Sequence, residues 1–128
     1  MEQVTLTIDP HGDTGLVLVP INDILYLSYV RKYNKVAFYT EKGTYYSAGS
    51  KEYWTHVFNT SGAVFRDVDR NNSVNVERIC RIDTLRYVAY FERFRRIGEF
   101  KCTMSESKYN RFIKEFPLND GKLVPRYQ

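Results

Sequence analysis

The chain has 128 residues, the length of a single domain. It carries 19 basic and 15 acidic residues, and 20 of its residues are aromatic (11 Tyr, 8 Phe and 1 Trp). Because this content can bury a core, disorder is excluded for most of the chain. No segment approaches the roughly 18 apolar residues of a membrane helix, and the N-terminus lacks the features of a secretion signal. We therefore predict a cytoplasmic globular domain that does not enter a membrane.

The charge is unevenly distributed along the chain. Residues 1–30 contain four acidic and no basic residues, so the remainder holds 19 basic and 11 acidic residues and carries a net charge of +8. This distribution favours an acidic partner for the part of the chain after residue 30.

Frequent turn residues separate short apolar segments of strand length. The pattern predicts strands, in chain order, at residues 16–19, 24–30, 35–40, 44–48, 64–68, 73–76, 79–91 and 99–104. Two helices interrupt them, one capped by Ser50 and one capped by Ser105 and ended by Pro117. We predict one domain over residues 1–117 and a loose C-terminal tail over residues 118–128.

Strands dominate this pattern, and the helices do not alternate with them as in a parallel α/β sheet. The predicted fold class is therefore mainly β (a β-rich α+β fold), with elongated antiparallel sheets and two short helices. The aromatic residues in segments 24–30 and 87–94 recur at strand spacing, which favours a core role over stacking on unpaired bases.

The residues that most often carry catalysis are few and scattered. His11 and His56 are not beside a serine or cysteine in a nucleophile motif, and no glycine-rich phosphate loop is present. Cys80 and Cys102 are too far from these histidines in sequence for zinc-ligand spacing, and we interpret them as buried thiols, with a disulfide left open. We predict no enzymatic activity, no cofactor, no metal and no small-molecule substrate.

Basic residues cluster in the predicted loops. Arg31, Lys32 and Lys35 crowd one inter-strand loop around Asn34, and further arginines follow in the middle of the chain. Lysine and arginine neutralise phosphates, whereas arginine and asparagine read base edges. The alternative is a solvated surface whose charges serve solubility.

Three segments resemble one known family in order and spacing. They are residues 21–27 (INDILYL), residues 64–79 (VFRDVDRNNSVNVERI) and residues 105–109 (SESKY). Over residues 19–116 the chain resembles a LytTR domain, the DNA-binding output module of many bacterial response regulators. The resemblance implies an elongated antiparallel β fold that places inter-strand loops in the grooves of double-stranded DNA.

Carried over position by position, the resemblance places one DNA contact late in the first polar loop, one in the central motif and one at the start of the last helix. The predicted DNA-binding residues, including their basic neighbours, are Arg31, Lys32, Asn34, Lys35, Arg66, Arg70, Asn71, Ser107 and Lys108.

The predicted function is a sequence-specific DNA-binding regulator of bacterial transcription, with two copies pairing as a homodimer on direct repeats. At this length we expect a stand-alone regulator or an excised output domain, without a phosphorylation switch of its own.

Three residues favour an alternative. Asp67 and Asp69 stand where the family carries arginine and histidine, and they would repel phosphates unless they pair with Arg66 or Arg70. Ser107 is too short to reach more than a phosphate. The alternative is a protein-interaction module or anti-regulator that has lost DNA binding. An enzyme would instead require a deep pocket lined by converging carboxylates.

Overall fold

The computed structural model describes residues 2–91, 101–119 and 121–123. These residues form twelve strands and two α-helices. Their bounds are β1 Gln3–Thr7, β2 Leu16–Pro20, β3 Tyr26–Val30, β4 Lys35–Thr40, β5 Gly43–Ser47, α1 Lys51–Thr60, β6 Phe65–Asp67, β7 Asn72–Asn75, β8 Arg81–Asp83, β9 Val88–Tyr90, β10 Lys101–Thr103, α2 Glu106–Glu115, β11 Leu118–Asn119 and β12 Lys122–Leu123. All strand pairs are antiparallel. The predicted fold class is confirmed.

The strands form one large and one small sheet, together with a short hairpin. The order in the large sheet is β2-β1-β5-β4-β3-β7-β6, and the order in the small sheet is β10-β9-β8. The small sheet lies next to β7 of the large sheet. The Asn72 amide Nδ2 of β7 donates to the Thr103 carbonyl oxygen of β10 at 3.1 Å.

The pairing of the strands places several of the connecting loops at one end of the large sheet. Thr7 pairs with Tyr46, Val30 with Lys35, and Ser28 with Asn72. The segments that follow β1, β3 and β6 therefore lie at the same end. We call this end, which carries residues 8–15, 31–34 and 68–71, the loop end.

Two apolar clusters form the core, one under each helix. Phe58 of α1 is fully buried and packs against Phe65 and Phe38, with ring centroids 5.0 and 5.9 Å apart. Helix α2 buries Tyr109 and Phe112 against the small sheet and β7. Burial of an aromatic side chain of this kind contributes about 1.5–3 kcal/mol. These contacts hold both helices against the strands that carry the loop end.

The described residues of the aromatic segments mostly pack against the core, as predicted, but Tyr29 also reaches the loop end. Tyr26 stacks between Tyr39 and Phe91, with ring centroids 4.4 and 5.7 Å away, and burial raises its phenol pKa. Tyr87 packs against Tyr109 at 4.7 Å. Residues 92–94 of the predicted segment lie outside the described residues.

Both predicted helix caps are present. The Ser50 hydroxyl accepts from the Tyr53 backbone N–H at 3.0 Å, and the Ser105 hydroxyl accepts from that of Lys108 at 3.4 Å. Each helix has ten residues, and no helix in the described part of the chain is long and apolar enough to cross a bilayer.

Both cysteines are free thiols. Cys102 is buried, as predicted, whereas Cys80 is only half-buried.

Two strand predictions differ from the structure. Strand β1 is missing from the predicted set, although its alternation of two apolar residues with threonines is typical of a half-buried strand. The single strand predicted at residues 79–91 is instead two strands, β8 and β9, separated by a turn. Residues 99 and 100 of the last predicted strand lie outside the described residues, whereas Lys101–Thr103 form β10.

The prediction of a loose tail is wrong for its first residues. Leu118 pairs with Leu123 in the hairpin β11–β12, and both leucines pack against the core under α2. The Ile82 backbone N–H also donates to the Gly121 carbonyl at 2.7 Å. The apolar leucines therefore anchor this segment, and residues 124–128 lie outside the described residues.

Candidate nucleic-acid interface

Two of the predicted DNA-binding segments share a cleft at the loop end. The cleft has a volume of about 530 Å³ and is lined by Tyr29, Arg31, Arg70 and Asn71. Strand β3 lies beside β7, and the Tyr29 backbone N–H donates to the Asn71 carbonyl at 3.0 Å. Strand pairing therefore brings Arg31 and Arg70 together although they are distant in sequence.

The turn at residues 31–34 has a defined conformation. Asn34 adopts a positive φ of 53°, which asparagine tolerates better than most residues, and its Oδ1 accepts from the Tyr29 hydroxyl. This hydrogen bond uses the amide oxygen, so the two amide donors are what Asn34 would present to a ligand.

The basic neighbours in this turn differ in exposure. Arg31 and Lys32 are exposed, whereas Lys35 is the first residue of β4 and is half-buried. The Lys32 ammonium lies 5.5 Å from the centroid of the Tyr33 ring, which also contacts the His11 ring edge-on at 5.8 Å. The turn is thus supported from the β1–β2 loop.

The loop at residues 68–71 is held from below by a buried lysine. Lys51, at the start of α1, has 2% of its side chain exposed. Its Nζ donates to the carbonyl oxygens of Asp69 and Arg70 at 3.2 and 3.1 Å and pairs with Asp67 Oδ1 at 3.2 Å. A buried ammonium is costly unless it is paired and hydrogen-bonded, and these three partners meet that requirement.

These contacts correct the expected role of the two aspartates. Asp67 pairs with Lys51 rather than with Arg66 or Arg70, so its charge is compensated from inside the protein. Asp69 Oδ1 accepts from the Arg70 backbone N–H at 2.7 Å and so stabilises the loop rather than orienting the Arg70 side chain.

Ser107 and Lys108 lie in the first turn of α2, which begins beside the same loop. The Ser105 backbone N–H donates to the Val68 carbonyl at 2.7 Å, and Lys108 Nζ approaches the Asp69 carbonyl oxygen at 3.4 Å. The structure therefore places this third predicted segment next to Arg70.

Arg66 is not brought to the cleft. Its guanidinium forms a two-pronged contact with Glu115, with Nε 3.0 Å from Oε1 and Nη2 2.8 Å from Oε2. The hydrogen bond to Glu115 raises the pKa of the Arg66 guanidinium above its usual value. Glu115 is the last residue of α2, so this pair lies at the opposite end of that helix from Lys108.

Sequence reasoning missed the two residues that shape this interface from behind, Tyr29 and Lys51. The sequence pattern predicts Tyr29 as one aromatic residue of a core strand. It predicts Lys51, at the start of an amphipathic helix, as solvent-exposed. Asn75 of the central motif is fully buried, and its Nδ2 donates to the Ile24 carbonyl at 2.9 Å. Its amide therefore serves the fold.

Two other grooves in the described part of the chain are smaller than the cleft. One of about 170 Å³ is lined in part by Glu2 and Glu77, and one of about 150 Å³ by Asp23, Glu41 and Arg78 among others. Among residues 2–91, 101–119 and 121–123, no group of three or more His, Cys, Asp or Glu residues is placed to hold a metal ion.

No protein-family model matches the chain, and no curated protein matches it. A solved structure does match: the LytTr DNA-binding domain of a protein described as a methyl-accepting/DNA response regulator from Bacillus cereus. It is 22% identical, the match covers 89% of this chain and 95% of that domain, and the TM-score is 0.68. The chain has the LytTR fold. The resemblance predicted from three short motifs is thereby confirmed for the fold, and that neighbour is described as a DNA-binding domain.

Proposed function

We propose that this LytTR-fold protein is a sequence-specific double-stranded DNA-binding regulator of bacterial transcription. The observation that carries the proposal is the cleft at the loop end, where Arg31, Arg70 and Asn71 converge from two different loops. The fold shared with a solved DNA-binding domain supports the same conclusion.

The chemistry of the cleft matches the two parts of DNA recognition. The guanidinium groups of Arg31 and Arg70 can neutralise phosphates or bind guanine edges, the amide of Asn71 can bind an adenine edge, and the amide donors of Asn34 can bind a phosphate or a base acceptor. Lys35 and Lys108 add positive charge on either side. The loops would enter the grooves, and two copies would pair as a homodimer on direct repeats.

The support behind the cleft favours binding without large rearrangement. Lys51 and Lys108 both approach the backbone of the loop that carries Arg70, and Tyr29 fixes Asn34. Because these groups are already positioned, less conformational entropy is lost on binding.

Selection of bound sequences from a random pool of duplex DNA tests the proposal. We expect enrichment of a defined motif and an affinity that falls steeply as the salt concentration rises. On the enriched duplex, Arg70→Ala should cost about 1–3 kcal/mol of binding free energy if Arg70 reads a base edge. Lys42→Ala is the matched control, because Lys42 is an exposed cation in the β4–β5 turn at the opposite end of the sheet.

Absence of salt-sensitive binding to any duplex at low ionic strength would overturn the proposal. An Arg70→Ala loss below a few tenths of a kcal/mol would remove Arg70 from the site.

A protein-interaction module is the second candidate, and one observation favours it. Strand β2 forms an edge of the large sheet, has no charged residue, and exposes 72% of Leu16 and 66% of Leu18. Uncharged edge strands with exposed apolar side chains are prone to pair with another chain. Loss of a protein partner on Leu18→Lys, in a protein that binds no duplex, would favour this candidate.

A further inference from the structure

The turn between β8 and β9 presents an apolar and a basic side chain to solvent. Leu85 is 89% exposed, and the Arg86 side chain is 80% exposed. A single exposed leucine is common on protein surfaces, so Leu85 gains interest only from the arginine beside it and from the position of the turn.

The turn is ordered by the aspartate that precedes it. Asp83 Oδ1 accepts from the backbone N–H groups of Leu85 and Arg86 at 3.0 and 3.1 Å, and Tyr87 closes the turn with a φ of 57°. Arg86 Nη1 lies 3.2 Å from Asp83 Oδ2. A guanidinium has five donors, so this surface contact leaves others for a ligand.

The turn lies at the same end of the molecule as the cleft. The Met104 backbone N–H donates to the Tyr87 carbonyl at 2.8 Å, and the Tyr87 ring packs 4.7 Å from that of Tyr109, the residue after Lys108. Val88 pairs with Thr103, whose carbonyl accepts from Asn72 of β7. A continuous chain of contacts therefore joins this turn to the loop of Arg70.

The order of the strands places these segments in a row. In the large sheet come the β1–β2 loop, the turn of Asn34 and then the loop of Arg70. Hydrogen bonds continue the row from that loop to the start of α2 and from there to the β8–β9 turn. The β1–β2 loop at one end of the row carries Asp9 and Asp13 and no lysine or arginine. The acidic β1–β2 loop would repel DNA phosphates. A DNA interface is therefore more favourably extended at the other end of the row, beyond Lys108, where Arg86 lies.

We propose that the β8–β9 turn is an additional DNA contact, in which Arg86 binds a backbone phosphate and Leu85 makes an apolar contact with a thymine methyl group in the adjoining groove. This inference rests on the proposed function and extends its interface by one turn. Leucine offers no hydrogen bond, so it can discriminate thymine only through the methyl group that the major groove exposes.

The test compares Leu85→Ala and Arg86→Ala with the wild-type protein on two probes. One probe is a duplex enriched by selection from the random pool, and the other is an unselected duplex of the same length. Leu85→Ala should weaken binding to the enriched duplex by about fivefold or more and leave the unselected duplex unaffected. Arg86→Ala should weaken binding to both and lower the slope of log affinity against log salt concentration by about one.

Two matched controls separate position from composition. Leu18→Ala shortens an exposed leucine in the middle of β2, at the far edge of the large sheet. Lys42→Ala removes one exposed positive charge at the end of that sheet opposite the loop end. Both variants should bind each duplex as the wild-type protein does. Because all four side chains are exposed, the folded state should be retained in every variant.

The outcomes distinguish this inference from the proposed function. If the wild-type protein binds no duplex, the proposed function fails and the inference fails with it. If Arg70→Ala weakens binding but Leu85→Ala and Arg86→Ala do not, only the inference is overturned. If Leu85→Ala spares single-site binding but abolishes cooperative binding to a two-site duplex, the turn contacts a second copy rather than DNA, which also overturns it.

Discussion

Arg66 and Asp67 are neighbours on β6, yet their side chains form ion pairs with different helices. Asp67, which is 40% exposed, pairs with Lys51 of α1, which is only 2% exposed. Arg66 pairs with Glu115 of α2, and both members of that pair are more than a third exposed. Successive residues of a strand point to opposite faces, which explains the two directions. The two pairs should therefore contribute differently to stability. The buried Lys51 ammonium depends on its partners, whereas water screens the exposed pair of Arg66 and Glu115.

The two ion pairs also differ in their distance from the cleft. The Lys51 pair lies directly under the loop that carries Arg70, and its ammonium hydrogen-bonds two carbonyls of that loop. The Arg66 pair lies at the far end of α2. We therefore expect the first pair to control both stability and the shape of the cleft, and the second to affect stability alone.

The largest effect is expected from Lys51→Met, which keeps the length of the side chain and removes its charge. The carbonyls of Asp69 and Arg70 would lose their shared donor, and we expect the free energy of unfolding to fall by about 2–4 kcal/mol. Urea denaturation measures this change, with Lys42→Met as the exposed control. A loss below about 1 kcal/mol would show that the ammonium does not hold the loop.

Asp67→Asn should have a smaller effect, because it removes one partner of Lys51 and leaves the carbonyl acceptors in place. Glu52 Oε2 lies 3.5 Å from the same ammonium and can partly replace the lost charge. Because Asp67 is 40% exposed and water screens its charge, we expect a loss of about 1–2 kcal/mol in the same measurement. An equal or larger loss than that of Lys51→Met would mean that the carboxylate, rather than the carbonyl hydrogen bonds, is the dominant partner.

These two residues also show what the sequence could and could not predict. Alternation located β4 at its observed residues, and the motifs selected three segments that the structure places side by side. The contact of Lys51 with Asp69 depends on how α1 packs against β7 and β6, and no local pattern encodes that packing. Apolar Leu85 and Tyr87 concealed the β8–β9 turn, because turn prediction relies on polar and glycine residues.

Arg66→Ala should have an effect smaller than either change at the Lys51 pair. The pair with Glu115 is exposed, so we expect about 0.3–1 kcal/mol of lost stability, with some contribution from the Phe116 ring 5.6 Å from the guanidinium. Affinity for the enriched duplex should stay close to that of the wild-type protein. A loss of affinity as large as that of Arg70→Ala would return Arg66 to the DNA interface and contradict the division between the two pairs.

The smallest effect concerns the half-buried carboxylate of Asp83, whose main partners are backbone N–H groups. The N–H groups of Arg86 and Leu85 lower the pKa of Asp83 below its usual range. A lowered folded-state pKa means that the charged form stabilises the fold above the unfolded pKa of about 4, and that this stability is lost as the pH falls through the lowered value. Asp83→Asn should therefore be slightly less stable than the wild-type protein at neutral pH, and the difference should disappear in acid. Urea denaturation at both pH values, with Asp13→Asn as the control at an exposed carboxylate, measures this. A difference that persists unchanged in acid would show that the turn depends on the shape of the side chain and not on its charge.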